Sequence, residues 1–550
     1  MYIVNTEQMR ALDLHTIEHI GIPAFALMEN AGKAIAEEVL SLCREAGQHR
    51  SGAATAVAAP GGGEAPFASH GIAADASLHL PNPSAQHWLV LAGKGSNGGD
   101  GAAAARHLCE AGLRVTLLYA AAGPAELSGA AALQQDAAAK LGIPQKFHGR
   151  DEAVELRAYT GIVDALLGTG ASGAPRGAYA ALIQAANDSG LPIVSADIPS
   201  GLDADTGARH EPCVRASVTV CLAFLKRGLV QYPGAEAAGR VVVRSIGIPS
   251  SLCRQHGVNT FLLTPDVLRG ELQCDPKRPR SPEGHKGTYG HVLTAAGSRT
   301  MSGAGLLCSR AALRAGSGLV TWALPEELLL PMSGAAPELM LTPVEASGRS
   351  RGVWSEASAD KLIQLLESRD VLAAGPGIGR FDGDSAWVRR LWESSSVPLV
   401  LDADALNALA DAPDTGKWVP RQHDTVLTPH PGEMARLAGI STAEVQRDRI
   451  GTAVGYALRN RVTLVLKGSR TVIACPDGRA FVNVTGHPGM ATGGTGDVLT
   501  GIIAGLLAQG LSGPQAAALG VRLHGLAGER AAQARGHFSS VTAGDVIEAL

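Results

Sequence analysis

A glycine-rich segment near the carboxyl end of the chain carries the residue types needed to handle a phosphoryl group. It runs from Gly489 to Asp497 with the sequence GMATGGTGD and leads into a stretch of helical periodicity, Val498 to Leu507. Its glycines allow a tight turn and close approach of backbone N–H groups, and the positive end of the helix dipole points the same way. Asp497 could accept a proton from a substrate hydroxyl, although an ordinary N-cap aspartate is the alternative.

A second glycine-rich loop lies in the first half, after a predicted strand at 88–92. The loop Gly93–Gly101 reads GKGSNGGDG and matches the pattern G-x-G-x-x-G. A dinucleotide site also needs an acidic residue about 20 positions later, and the next strand ends at Leu117–Ala120 without one. The dense cluster Asn97–Gly101 therefore suggests another use, in which backbone N–H groups and side-chain oxygens act together.

Two further strand ends in the first half carry polar residues. Asp164 lies in VDALLGTG (163–170), and Ser200 lies in ADIPSGLD (196–203). Parallel sheets place their sites at the carboxyl ends of strands. Asn97, Asp164 and Ser200 would offer oxygen ligands, which suit a hard cation such as potassium and not zinc or copper. Caps and turns are the alternative explanation.

Five short motifs with polar and glycine residues lie in the second half of the chain, before the glycine-rich segment. Each one alone is compatible with a turn, a strand end or a solvated surface. In chain order they are His285–Gly290, Met301–Ala304, Gly375–Gly379, Thr428–Glu433 and Leu466–Thr471.

The elements that must position these residues alternate between strands and helices, which predicts parallel sheets covered by helices. At 550 residues the chain is long enough for two to four units. Residues 3–46 are predicted to be helical with a break at Gly21–Pro23, and about 51–85 to form a mobile inserted loop. Further strands are predicted at 113–119, 161–167, 191–196, 217–222 and 240–243, then at 291–296, 318–323, 370–374, 398–401, 425–428 and 462–466, with helices at 498–508 and 514–534.

The composition is that of a soluble globular protein. Charged residues make up 18%, apolar residues 45%, and the net charge is -4, which does not favour a nucleic-acid partner. The first residues lack a basic region followed by an apolar core, and no apolar run is long enough for a membrane span. We expect a cytoplasmic protein.

The three motifs of the first half resemble the NAD(P)H-hydrate epimerase domain, in the same order, over roughly residues 1–255. The resemblance implies a Rossmann-like fold and a potassium ion held by Asn97, Asp164 and Ser200. Asp197 is our candidate for the general acid or base, because epimerisation at C6 needs reversible loss of the hydroxyl or ring opening with a carboxylate beside it. Orientation of the ribose or the ring is its alternative role. The resemblance places on the hydrated nucleotide Ser96, Asn97, Gly98, Gly99, Asp100, Gly168, Thr169, Gly170, Ala171, Ser172, Gly173, Ala174 and Asp197.

The motifs of the second half together resemble the ADP- or ATP-dependent NAD(P)H-hydrate dehydratase, which has a ribokinase-like fold, over residues 262–550. The resemblance implies substrate contacts from Ala304, Gly377, His430 and Asp497, with Asp497 catalytic. It implies magnesium and an adenine nucleotide, ADP or ATP, held by Lys467, Gly468, Ser469, Arg470, Thr471 and Gly496.

The resulting prediction is an α/β protein of two three-layer αβα domains that repairs hydrated nicotinamide nucleotides. The first domain would interconvert the R and S forms of NADHX and NADPHX, and the second would dehydrate the S form. We also expect a homo-oligomer, as a family property. The alternative is a ribokinase-like kinase of a vitamin precursor with a non-catalytic binding domain at its amino end.

Overall fold

The computed structural model describes residues 1–50, 83–151, 154–344, 354–537, 539 and 541–550. Within them the chain forms two compact units, Met1–Asn259 and Thr260–Leu550. The insert predicted at about 51–85 lies, as far as residue 82, outside the described residues. None of the described helices is long and apolar enough to cross a membrane.

The first unit alternates strands with helices. Its strands are β1 Ile3–Val4, β2 His87–Ala92, β3 Arg114–Tyr119, β4 Gln145–Phe147, β5 Gly161–Ala165, β6 Ile193–Ala196, β7 Val218–Leu222, β8 Leu225–Lys226 and β9 Arg240–Arg244. Its helices are α1 Thr6–His15, continued by a π-helical turn Thr16–Ile20, α2 Ala24–Arg50, α3 Ser96–Glu110, α4 Gly129–Lys140, α5 Ala178–Asp188, α6 Gly234–Ala237 and α7 Ser251–Gln255.

The main sheet of this unit is parallel, with the strand order β4-β3-β2-β5-β6-β7-β9. The direction of strand addition reverses between β2 and β5. Ligands of such sheets bind at the carboxyl ends of the strands beside this switch point. The loops after β2 and β5 are the glycine-rich loop at Gly93 and the loop at Leu166.

Both faces of this sheet are covered. Successive residues of a strand point to opposite faces. Trp88 and Val90 of β2 belong to a core shared with α2 and α3, whereas Leu89 and Leu91 belong to a second core shared with α5. The unit therefore has three layers, with the sheet in the middle.

The second unit also alternates strands with helices. Its strands are β10 Thr260–Leu262, β11 His291–Ala295, β12 Leu319–Pro325, β13 Met340–Val344, β14 Val371–Ala374, β15 Leu399–Leu401, β16 Thr425–Leu427, β17 Thr463–Leu466, β18 Val472–Ala474 and β19 Ala480–Val482. Its helices are α8 Pro265–Glu271, α9 Ser302–Arg314, α10 Glu326–Met332, α11 Ser358–Leu366, α12 Asp384–Ser394, α13 Asp404–Asp411, α14 Pro431–Ala438, α15 Thr442–Arg447, α16 Arg449–Asn460, α17 Thr495–Ala508, α18 Gly513–Arg535 and α19 Ala543–Glu548.

The strand order of the second sheet is β10-β19-β18-β17-β16-β15-β14-β11-β12-β13. Its pairs are parallel except β17 with β18 and β18 with β19. Val292, Leu293, Thr294 and Ala295 in β11 are all fully buried, so both faces are covered. The strand order reverses between β11 and β14, which places a second switch point at the carboxyl ends of these strands.

The predicted fold class is confirmed, and each predicted strand is present with ends within two residues of those expected. The prediction of helix for Ile3–Val4 is wrong, because these residues pair with Leu225 and Lys226 of β8. Other short strands, such as β4 and β18, were not predicted because three residues are too few to show periodicity. Strand β13 contains Pro343 and lies at the sheet edge, the position where proline is tolerated.

Candidate functional site

Four neighbouring strands of the second unit end in polar or glycine residues at one edge of the sheet. Gly375 follows β14, Asp402 follows β15, Thr428 follows β16 and Lys467 follows β17. The carboxyl ends of β14 to β17 are adjacent because these strands are adjacent and parallel. Three of the predicted motifs and the end of the predicted strand 398–401 therefore meet at this edge.

An ion pair lies at the centre of this edge. The Nζ atom of Lys467 is 2.5 Å from Oδ1 of Asp402 and 3.9 Å from Oε2 of Glu433. The hydroxyl of Thr500 donates to Oδ2 of Asp402 at 2.7 Å. Arg449 donates to the carbonyl oxygens of residues 466 and 467, at 3.1 Å each, and so fixes the end of β17. Lys467 thus turns its amine inward, toward carboxylates.

The glycine-rich turn places the start of α17 over this ion pair. Gly494 caps the helix with φ of 92°. A Cβ atom added at Gly496 would lie 3.5 Å from Nζ of Lys467 and 3.9 Å from Oδ2 of Asp402. Further along, added Cβ atoms at Gly501 and Gly505 would lie 2.0 and 2.5 Å from carbonyl oxygens of α9, so these glycines let the two helices approach closely.

Asp497 lies in the first turn of α17, as the sequence predicts. Its carboxylate accepts no hydrogen bond within the described part of the chain. Burial raises the pKa of Asp497 to about 7, and the negative charge of Asp402 adds to the rise while Lys467 opposes it. A carboxylate with a pKa near neutrality suits a general base.

Ala304 and Gly377, predicted on the substrate, lie against each other. Gly377 has φ of 62°, and a Cβ atom there would lie 2.7 Å from Cβ of Ala304. In the same turn, the N–H of Gly379 donates to Oδ2 of Asp404 at 2.9 Å. The turn after β14 is therefore held close to the start of α9 and of α13.

His430 caps α14 at the same edge. Its Nδ1 accepts from the N–H groups of Gly432 and Glu433, at 3.0 and 3.3 Å. Burial, followed by the charge of Lys467, lowers the pKa of His430, so the ring is neutral at neutral pH. Burial raises the pKa of Glu433 to about 7. The His430 ring thus caps the helix through Nδ1. Its Nε2 lies 3.4 Å from Oε1 of Glu433.

The predicted nucleotide-binding residues form the turn between β17 and β18. Gly468 and Arg470 have positive φ, 144° and 87°, and the hydroxyl of Thr471 donates to the carbonyl oxygen of Gly468 at 2.9 Å. Gly468 and Ser469 are exposed. Of the predicted set, Lys467 and Gly496 come together, and the remaining residues form the neighbouring turn.

In the first unit, the loops at the switch point are in close contact. A Cβ atom at Gly93 would lie 1.9 Å from the carbonyl oxygen of Leu166, and one at Gly98 would lie 1.9 Å from that of Gly93. Helix α3 begins at Ser96 and contains Asn97 to Asp100. The glycines are therefore needed for packing, since any side chain there would strike the backbone.

The three predicted cation ligands lie at these loops. Asp164 is fully buried and accepts from Ser195 Oγ at 2.9 Å, from Ser200 N at 2.9 Å and from Ser200 Oγ at 2.6 Å. Despite these bonds, burial raises the pKa of Asp164. Both polar side-chain atoms of Asn97, beside Gly168, are buried and have no hydrogen-bond partner among the described residues. This amide fits a ligand-binding role, since buried polar groups are otherwise paired.

The loop predicted to bind the hydrated nucleotide lines a cavity of about 410 Å³. The backbone N–H of Lys94 donates to Oη of Tyr179 in the cavity wall at 3.4 Å, and the cavity is thereby linked to the loop before Ser96. The cavity is lined by Leu167, Ala171, Ser172, Gly173, Ala174, Pro175, Arg176 and Tyr179.

Asp197 lies directly after β6 with φ of 66°. Its Oδ1 accepts from the N–H of Leu222 at 3.2 Å and from Nζ of Lys226. Lys226 is 1% exposed and also donates to the carbonyl oxygen of Leu222 at 2.6 Å. Although burial favours the neutral amine, the charge of Asp197 raises the pKa of Lys226. Asp197 is thus an ion-paired, almost buried carboxylate.

Several charged residues of these two sites lie outside the motifs that the sequence offers. Asp402 could have been found, because it lies at the end of a predicted strand, as Asp164 and Asp197 do. Lys226 had a weaker signal, a lysine after the apolar run that ends in Phe224 and Leu225. Asp13 lies on α1, where an acidic residue on a helix surface is unremarkable, so no sequence signal distinguished it.

Comparison with known proteins gives matches to both units. Residues 24–228 match the family model described as YjeF-related protein N-terminus, and residues 292–550 match the model described as NAD(P)H-hydrate dehydratase. The chain is 40% identical to a bifunctional NAD(P)H-hydrate repair enzyme of Moorella thermoacetica, over 100% of this chain and 96% of the relative.

Two further matches are similar in kind. A bifunctional NAD(P)H-hydrate repair enzyme of Escherichia coli is 39% identical, over 81% of each chain. Among solved structures, an ADP/ATP-dependent NAD(P)H-hydrate dehydratase from Bacillus subtilis, co-crystallised with ATP and Mg²⁺, matches with 31% identity and a TM-score of 0.45. That match covers 53% of this chain and 97% of the other.

Proposed function

This chain belongs to the family of bifunctional NAD(P)H-hydrate repair enzymes, and from that premise we propose its two reactions. The first unit interconverts the R and S forms of NADHX and NADPHX. The second unit dehydrates the S form to NADH or NADPH and consumes ADP or ATP, with AMP or ADP and phosphate as products. Together the two reactions repair both epimers, because a stereospecific dehydratase alone acts on one.

The observation that carries the proposal for the second unit is the position of Asp497. It combines a pKa of about 7 with a place in the first turn of α17, beside the Lys467–Asp402 pair. The hydroxyl on C6 of the hydrated ring is a poor leaving group as hydroxide and a good one as phosphate. Asp497 accepts the hydroxyl proton as the oxygen attacks the terminal phosphoryl group. The lone pair of the ring nitrogen then expels phosphate, which leaves an N1=C6 iminium ion, and loss of a proton from C5 gives the dihydropyridine ring of NADH or NADPH.

The start of α17 supplies the electrostatic stabilisation for this transfer. Backbone N–H groups at residues 493–496 and the helix dipole favour negative charge on the phosphoryl oxygens. Lys467 contributes a cation next to Gly496. Magnesium, when bound with the nucleotide, would offset phosphate charge.

In the first unit, Asp197 acts as general acid or base on the C6 hydroxyl. Asn97, Asp164 and Ser200 fit a potassium ion, because their side-chain oxygens are hard donors and the Asn97 amide has no protein partner within the described residues. The ion would bring a positive charge to the loops that hold the nucleotide. The alternative of a vitamin-precursor kinase is not favoured, since the full-length relatives are repair enzymes.

The test is recovery of NADH absorbance from a mixed R and S hydrate preparation, with ADP or ATP, magnesium and potassium. We expect full recovery with the intact protein. Asp164→Ala should stall near the S fraction, and Asp497→Asn should give almost no recovery. The matched control is Asp188→Ala, at an exposed carboxylate that bonds Gln184. Absence of recovery by the intact protein with either nucleotide would overturn the proposal.

The proposal includes small-molecule substrates, no nucleic-acid partner, a homo-oligomeric state and a cytoplasmic location. The net charge of -4 supports the absence of a nucleic-acid partner. Light scattering after gel filtration tests the oligomeric state, and cell fractionation tests the location. A monomer, or a membrane-bound protein, would remove the corresponding part.

A further inference from the structure

Four charged side chains from different elements of the first unit interact beside the epimerase site. They are Asp13 of α1, Asp100 of α3, Asp197 after β6 and Lys226 of β8, and we refer to them as the carboxylate cluster. The cluster holds three carboxylates around one ammonium group. The Cys221 thiol also faces it and donates to the carbonyl oxygen of Phe224 at 3.2 Å; burial raises the pKa of Cys221 to about 11, so the thiol is neutral.

The two oxygens of Asp197 have different environments. Oδ1 accepts both from Lys226 and from the N–H of Leu222, whereas Oδ2 accepts no hydrogen bond within the described part of the chain. The backbone φ of 66° is uncommon for a non-glycine residue and costs free energy, so the surrounding structure must enforce it. Asp197 is therefore held by one oxygen while the other is open to a substrate.

Lys226 is held in place from both sides. It pairs with Val4 of β1 in the parallel ladder and donates to the carbonyl oxygen of Leu222. Burial of an ammonium group is expensive unless the charge is paired and hydrogen-bonded. A buried lysine beside a predicted catalytic carboxylate is thus consistent with a role in setting the charge of that site.

Asp13 and Asp100 differ from an ordinary exposed carboxylate. Burial raises the pKa of Asp13 to about 6, with Lys226 opposing and Asp197 adding to the rise. Burial, Asp197 and Asp13 together raise the pKa of Asp100 well above its usual range. Lys226 is the cation of the cluster, and its charge opposes the rise at both carboxylates.

We propose that Lys226 is a positioning residue that holds the carboxylate of Asp197 by Oδ1 and leaves Oδ2 free for the substrate. This inference rests on the proposed function of the first unit. Through Oδ2, Asp197 then acts as general acid or base on the C6 hydroxyl, while Lys226 supplies the positive charge that balances the negative charge of the cluster.

The experiment measures conversion of R to S hydrate by the full chain, by chromatography without nucleotide, from pH 5.5 to 8.5, with the spontaneous rate subtracted. For Lys226→Met we expect kcat to fall about 100-fold. We expect the acid limb of its profile to move up by about one pH unit, because the carboxylates lose the cation that favours their ionised forms. Lys226→Arg should recover about tenfold of the loss and keep the limb in place.

Dehydration of pure S hydrate by each variant controls for folding of the chain. An unmoved acid limb in Lys226→Met would overturn the inference, because a merely structural role would lower kcat without moving the limb. If Lys226→Met is insoluble, Lys226→Arg decides: a kcat within about tenfold of the unmodified chain with the limb in place supports the inference, and a displaced limb overturns it. Failure of the unmodified chain to epimerise would instead refute the proposed function.

Discussion

Replacement of Asp402 by asparagine should shift the pH dependence of dehydration toward acid. The pKa of Asp497 rises from 3.8 to about 7, first through burial and then through the charge of Asp402. If Asp497 is the base, the rate tracks its ionised fraction, about one tenth at pH 6 and about one hundredth at pH 5. The acid limb of the intact protein should therefore have its midpoint near pH 7.

Asp402→Asn has two effects, and both lower the pKa of Asp497 and with it the midpoint. It removes a negative charge that disfavours ionised Asp497, and it frees Lys467 to pair with Asp497. Because burial is the larger cause and is unchanged, we expect the midpoint to fall by about one pH unit and not to return to the ordinary value. At pH 6 the relative rate of the variant, normalised to its own plateau, should therefore exceed that of the intact protein several-fold.

The assay is the initial rate of NADH formation from pure S hydrate at saturating nucleotide and magnesium, from pH 5 to 9. The nucleotide phosphate also titrates in this range, but equally for all variants, so the difference between profiles isolates the protein. Asp414→Asn, an exposed carboxylate of the same unit paired with Lys417, is the charge-matched control and should leave the midpoint unmoved. The reasoning is refuted if Asp402→Asn leaves the midpoint in place or raises it.

Three further predictions concern other parts of the two sites. Gly377→Ala should cost about 1–3 kcal/mol of stability and raise KM for the hydrate, since φ is positive and an added Cβ would meet Ala304 and Met301. Ala304→Gly in the same chain should recover the part of the loss that comes from Ala304, as calorimetry and kinetics would show. Asn97→Ala should remove the difference between potassium and sodium in epimerisation rates; a retained difference argues against this ligand. Hydrate labelled with ¹⁸O at C6 should deliver the label to inorganic phosphate, and label found in water would exclude phosphorylation of the hydroxyl.

The sequence was sufficient for the fold class because long buried strands carry their own signal. Strands such as β2 and β11 are apolar runs between turns. A glycine-rich turn followed by an apolar stretch with helical periodicity predicts α17. Short strands depend on a partner that is distant in sequence. Strand β1 pairs with β8, and Ile3 lies opposite Leu225, which is 222 residues later in the chain. No local pattern encodes that pairing.

The candidate sites were predictable where the loops carry dense motifs. Asn97 lies beside Gly168, and Ala304 beside Gly377, although these pairs are distant in sequence. The charged groups beneath them were harder to find. Lys226 and Asp402 act through partners that only the folded chain brings together, so their roles depend on tertiary contacts that residue types and spacing do not report.

Strand β10 sets where the second unit can be separated from the first. Thr260, Phe261 and Leu262 pair with Ala480, Phe481 and Val482 of β19, and the rings of Phe261 and Phe481 stack with centroids 5.5 Å apart. A gene fragment that began after Leu262 would leave β19 as an open, apolar sheet edge, which invites aggregation. Separate production of the dehydratase unit therefore requires a start before Thr260, and a natural gene fission would be viable on the same side of that residue.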